Sequence, residues 1–112
     1  MDGFMKLNPK WYLGLYALLL AMALPLTFRL IPPNRWYGFR IPGRLIDPQR
    51  WYEINALGGR SFAVAMIVCF LVNLLVLWAG PKQVLRYINW INATLIFISF
   101  WLVTLELIDV LN

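Results

Sequence analysis

The sequence predicts an all-α membrane protein with three transmembrane helices and a short interfacial helix in the loop between the first two. The chain of 112 residues is 62% hydrophobic and only 13% charged, whereas soluble domains have about 45–50% apolar and about 25% charged residues. In water, a chain of this length would leave large apolar patches exposed, but lipid can cover them. The length predicts a single membrane domain, residues 1–112.

Three apolar stretches supply the spans. They are predicted at about residues 11–31, 61–79 and 84–106, and each suits a hydrocarbon core of about 30 Å. Because only a short connection joins the second span to the third, these two helices are expected to be antiparallel neighbours.

The connection between the first and second spans, residues 32–60, is far longer than most helix-to-helix loops. Such length favours a structured, functional segment. The Asp-Pro pair at residues 47–48 is typical of a helix start, and the Gly-Gly pair at residues 58–59 of a helix stop. The pattern therefore predicts a short helix at about residues 48–57, lying in the membrane interface.

Lysine and arginine are slightly more numerous on the side of this loop than on the other side of the predicted membrane. Basic residues in short loops favour the cytoplasmic side. We therefore expect a multi-pass protein of the bacterial cytoplasmic (inner) membrane, with the N-terminus outside and the C-terminus inside. The net charge of +5 concerns the anionic lipid surface before it concerns nucleic acid.

Polar residues within the spans suggest contacts between helices. Arg29 and Glu106 are predicted at similar depths near the loop side, where they either form an ion pair or separately extend to the headgroups. On the other side, depth matching predicts a hydrogen bond from Asn73 to Asn92 or Asn89, which we interpret as packing.

Basic and aromatic residues alternate over residues 35–44, upstream of the short helix. Arginine binds phosphates and carboxylates bidentately, while aromatic rings anchor in the interface. Two interpretations are open. The segment is either an interfacial anchor that also orients the protein, or a recognition surface for an anionic headgroup, a peptide or a partner protein.

Residues 34–60 resemble the signature loop of the SdpI family of small bacterial membrane proteins, in a three-span short form. The shared pattern is a Gly-x-Arg-Thr-Pro-like element, with Ile41 in place of the threonine, followed by a short helix with tryptophan and asparagine. The resemblance implies immunity to a secreted toxic peptide, or signalling of its presence. Together with the arginine pattern, it predicts these binding residues on the loop surface: Arg35, Gly38, Arg40, Pro42, Arg44, Trp51 and Asn55.

Catalysis is not expected, because the chain has no histidine, a single cysteine and no group of carboxylates within the spans. We predict a non-enzymatic protein without metal or cofactor, whose partners are the bilayer and a peptide toxin or another membrane protein. The alternative is a structural accessory subunit of a larger membrane complex, and a lipid or solute carrier has less support. Three short helices bury little surface among themselves, so self-association or a partner is expected.

Overall fold

A computed structural model describes residues 9–34, 37–39, 47–80 and 82–111 of the chain. Within these ranges the helices are α1 (Pro9–Thr27), α2 (Pro48–Ala79), α3 (Lys82–Arg86) and α4 (Ile88–Leu111). Helices α1, α2 and α4 are each long and apolar enough to cross a membrane. The prediction of an all-α fold with three spans is therefore confirmed.

Helix α1 ends at Thr27, four residues before the predicted end of the first span. The Arg29 N–H donates to the Leu26 carbonyl at 3.1 Å, and the Leu30 N–H donates to the Pro25 carbonyl at 2.9 Å. This pair of reversed bonds is a Schellman motif, and it places Arg29 in the left-handed region with a φ of 60°. The apolar run continues to Ile31, but these two hydrogen bonds end the helix at Thr27.

Helix α2 is continuous from Pro48 to Ala79. It begins as predicted, with the Asp47 carboxylate accepting from the Arg50 N–H at 2.8 Å and proline in the first turn. The prediction that Gly58 and Gly59 end a separate short helix is wrong, since both lie buried inside α2. Residues 48–57 form its first turns.

The two glycines serve close packing instead of helix termination. A Cβ atom on Gly58 would lie 2.7 Å from the Phe39 ring. A Cβ atom on Gly59 would lie 2.9 Å from the Thr27 hydroxyl and 3.1 Å from the Ala23 carbonyl oxygen, so this glycine lets α2 meet the last turns of α1. Such approaches depend on the partner element, and a local helix-stop pattern does not reveal them.

The third predicted span also differs at its start. The short helix α3 precedes α4, and the two are separated at Tyr87, whose N–H donates to the Val84 carbonyl at 3.0 Å. The membrane-crossing helix is therefore Ile88–Leu111 and not a single helix from residue 84.

Helix α2 is the central element of an elongated bundle with extents of 50 × 23 × 23 Å. It packs against α1 along one side and against α4 along another. Its 32 residues extend about 48 Å, which exceeds a hydrocarbon core of about 30 Å. Because α1 ends level with Gly59, the first turns of α2 continue beyond the end of α1. They support the loop there.

Candidate functional site

The candidate site lies where residues 37–39 fold against the first turns of α2. The Asn55 side-chain oxygen accepts a hydrogen bond from the Phe39 N–H at 2.5 Å, and the Asn55 amide group donates to the Phe39 carbonyl at 3.2 Å. The same amide group also donates to the Trp51 carbonyl at 3.0 Å. Only a side chain with both a donor and an acceptor can bind both backbone groups of one residue. We call residues 37–39 with Trp51, Asn55 and Gly58 the loop latch.

Trp51 forms the floor of the loop latch. It is only 4% exposed, and its indole N–H donates to the Ile31 carbonyl at 2.9 Å. Gly38 lies directly over the indole ring, where a Cβ atom would be 2.9 Å from the ring and 2.7 Å from the Asn55 oxygen. Gly38 also has a φ of 124°, a conformation that other residues rarely adopt. Both its backbone angle and its surroundings therefore require glycine.

Phe39 anchors the other side of the latch in the helix bundle. Its ring lies against Gly58 and makes an edge contact with Phe62 at a centroid distance of 6.3 Å. Phe62 in turn contacts Phe100 of α4 at 5.4 Å. This row of three rings links the loop to α2 and α4. Phe39 was not among the site residues predicted from the sequence, although an aromatic residue next to the motif glycine is a usable signal.

The chain enters the latch through a second asparagine. The Asn34 side-chain oxygen accepts from the Tyr37 N–H at 2.6 Å, and its amide group donates to the Pro32 carbonyl at 2.8 Å. These are the local bonds by which asparagine stabilises a turn. Burial raises the pKa of the Tyr37 phenol above its usual value.

The loop latch brings together three of the predicted binding residues: Gly38, Trp51 and Asn55. Trp51 and Asn55 are 4% and 2% exposed, so they position the loop and do not offer a contact surface. The other predicted binding residues lie outside the described residues, and these are Arg35, Arg40, Pro42 and Arg44.

A second polar cluster lies near the opposite end of the bundle. Asn73 and Asn92 donate to each other, with distances of 2.7 and 2.9 Å, so the hydrogen bond predicted by depth matching is present. The Tyr16 hydroxyl donates to the Asn92 oxygen at 2.6 Å, and the Tyr12 hydroxyl donates to Asn89. All three spans thus share one buried network. Depth matching that also counted residues from the start of the first span could have placed Tyr12 and Tyr16 beside these asparagines.

Arg29 and Glu106 do not meet. Glu106 accepts a hydrogen bond from the Ser61 hydroxyl of α2, whereas Arg29 lines a hollow with Glu53 and Arg60. No ion pair joins Arg29 to Glu106 in the part of the chain that the structure describes. The ion-pair alternative assumed that the first span continued as a helix past Arg29, but the chain turns at that residue, and Glu106 contacts Ser61 of α2.

Comparison with known proteins gives one family match. The model of the SdpI/YfhL protein family matches residues 30–108, a range that includes the entire loop latch, the second span and most of the third span. Searches of curated proteins and of solved structures found no match.

Proposed function

The chain belongs to the SdpI/YfhL protein family, and on this basis we propose that it protects a bacterial cell from a toxic peptide, or signals the presence of the peptide. Binding would occur at the surface that the loop latch holds in place, without catalysis. The protein would lie in the cytoplasmic (inner) membrane, with its N-terminus outside and its C-terminus inside, as the distribution of basic residues favours.

The observation that carries this proposal is the bonding of Asn55 to both backbone groups of Phe39. A buried side chain that fixes one loop residue in this way restricts the loop before any ligand arrives. A loop ordered in advance loses less conformational entropy on binding, and this increases affinity. An interfacial anchor alone would not require this degree of order.

The binding chemistry would come from the arginines that flank the latch in sequence. Arg40 directly follows Phe39, and Arg35 and Arg44 lie close along the chain. Guanidinium groups bind carboxylates bidentately, and nearby aromatic residues suit the apolar side chains of a membrane-active peptide. A peptide with an accessible carboxylate, at its C-terminus or in an acidic side chain, is therefore the expected ligand class.

Binding could be passed to the bundle through the row of rings formed by Phe39, Phe62 and Phe100. This row leads from the latch to α4 by direct contact. Movement of Phe39 would change the packing of α4 against α2. A partner protein bound to the outer face of α4 would respond to that change. In this proposal signalling depends on Phe39, which also belongs to the loop latch that holds the binding surface in place.

The experiment compares cells that lack the gene with cells that express the parent chain or a variant. They are challenged with synthetic membrane-active peptides that have either a free or an amidated C-terminus. We expect the parent chain to raise the inhibitory concentration of at least one free-carboxylate peptide. Arg40→Gln should weaken binding of that peptide about tenfold, because a charge-assisted hydrogen bond is lost. Asn55→Ala should abolish protection, because the loop is then no longer held against α2.

Arg86→Gln is the matched control, because Arg86 is an exposed arginine on α3, at the other end of α2 from the latch. It should protect as well as the parent chain. Equal sensitivity of the deletion and parent strains to every peptide would contradict the proposal. Recovery of the chain in a fixed ratio with a large membrane complex would then support the accessory-subunit alternative.

A further inference from the structure

Two arginines share a polar hollow at the end of α1. Arg29 and Arg60 line a space of about 300 Å³ together with Thr27 and Glu53. Both arginines are exposed, and neither forms an ion pair among the residues that the structure describes. Glu53 lies 3.9 Å from Arg50, so the single carboxylate of the hollow is already beside a third arginine. The balance of charge favours an anion.

The backbone at Arg29 supports a role beyond helix termination. Arg29 occupies the left-handed position of the Schellman motif with a φ of 60°. Glycine is the usual residue there because it adopts this conformation without a steric cost. Arginine at this position therefore sacrifices some stability while placing a guanidinium group at the corner of the hollow. Such local strain often accompanies a functional role.

Arg60 lines both the hollow and a neighbouring apolar groove. This groove, of about 440 Å³, lies between α2 and α4. Arg60 and Glu106 lie toward the loop side, while Val64, Val68 and Leu102 form apolar wall farther into the membrane. Glu106 accepts a hydrogen bond from Ser61, which partly satisfies its charge. Arg60 belongs to both spaces, so a charged group in the hollow can be attached to an apolar chain in the groove.

We propose that Arg29 and Arg60 bind the phosphate of an anionic phospholipid, one of whose acyl chains lies in the groove between α2 and α4. Two guanidinium groups suit a phosphodiester, and the apolar groove suits a hydrocarbon chain. This site is separate from the loop surface and does not depend on the proposed function.

The test uses the full chain in a neutral detergent, with bound lipids counted by native mass spectrometry. Phosphatidylglycerol and phosphatidylcholine are the two lipid probes, and inorganic phosphate is the competitor. The parent chain should bind one phosphatidylglycerol in preference to phosphatidylcholine. Arg29→Gly and Arg60→Gln should each weaken phosphatidylglycerol binding about tenfold. Val68→Phe should also weaken it by filling the groove while both arginines remain.

The Arg29→Gly variant separates ligand binding from a structural role. Glycine suits the Schellman position better than arginine does, so the thermal midpoint should be unchanged or higher while lipid binding is lost. Arg86→Gln, which removes an equal charge elsewhere, should bind as the parent does. Unchanged phosphatidylglycerol binding by Arg29→Gly, or equal binding of the two lipids by the parent chain, would overturn the proposal. Displacement of the lipid by inorganic phosphate would show a free-anion site and would also overturn it.

Discussion

Replacing Gly38 by alanine is expected to release the loop latch and to lower the free energy of unfolding by about 2–4 kcal/mol. The new Cβ atom would lie 2.7 Å from the Asn55 oxygen and 2.9 Å from the Trp51 ring, and the φ of 124° would itself be strained. The loop can escape both costs only by leaving α2. The loss is therefore limited to the energy of the latch, including the two bonds from Asn55 to Phe39.

This prediction can be measured by titrating the detergent-solubilised chain with sodium dodecyl sulfate and following tryptophan fluorescence. Asn55→Ala alone should cost about 1–3 kcal/mol. Adding Gly38→Ala to Asn55→Ala should then cost much less than Gly38→Ala costs in the parent chain, because the two residues act in one unit. A Gly38→Ala variant within about 0.5 kcal/mol of the parent, or strictly additive changes, would contradict the existence of the latch.

Replacing Gly59 by leucine is expected to push α1 away from α2 and to destabilise the bundle by about 3 kcal/mol, the upper part of the usual range for overpacking. A Cβ atom at position 59 would lie 3.0 Å from the Thr27 backbone nitrogen and 3.1 Å from the Ala23 carbonyl oxygen. Both are backbone atoms of α1, which cannot rotate aside as a flexible side chain can.

Gly14→Leu is the control for helix propensity. A Cβ atom on Gly14 would meet nothing within 4 Å, and leucine is a better helix former than glycine by somewhat less than about 1 kcal/mol. This variant should therefore be slightly more stable than the parent in the same titration. Opposite signs for the two substitutions are the expected result. Stabilisation by Gly59→Leu would show that α1 and α2 do not approach closely at Gly59.

The spans were predictable because crossing a bilayer depends on composition and length, which are local properties of the sequence. The hydrogen bond between Asn73 and Asn92 was predictable for a related reason. A short connection between two helices fixes their depths relative to each other, so polar residues at equal distances from it come together. Neither inference required knowledge of the packing.

The errors arose where tertiary contacts or backbone hydrogen bonds outweigh the local pattern of residue types. Gly58 and Gly59 form a common helix-stop pattern, yet they lie within α2 because Phe39 and α1 approach them closely. Arg29 lies within an apolar run, yet the chain turns there because backbone bonds close the helix. In both cases the deciding partner lies in a different segment or in the backbone itself.

The family motif correctly indicated where the latch lies in the sequence, but it did not indicate what each residue of the latch does. Trp51 and Asn55 were predicted as binding residues, and their burial shows that they position the loop. A motif records which residues occur together, whereas the choice between surface contact and support depends on which side chains point inward. Phe39 was missed because it looked like one more aromatic anchor among several.

Amide hydrogen exchange at Phe39 tests the central claim most directly, because this N–H donates to a buried side chain and not to a helix backbone. The measurement is NMR of the isotope-labelled chain in detergent micelles. We predict slow exchange of the Phe39 amide in the parent chain and fast exchange in Asn55→Ala, while amides in the centre of α2 remain protected in both. Fast exchange at Phe39 in the parent chain, or no change on substitution of Asn55, would contradict it.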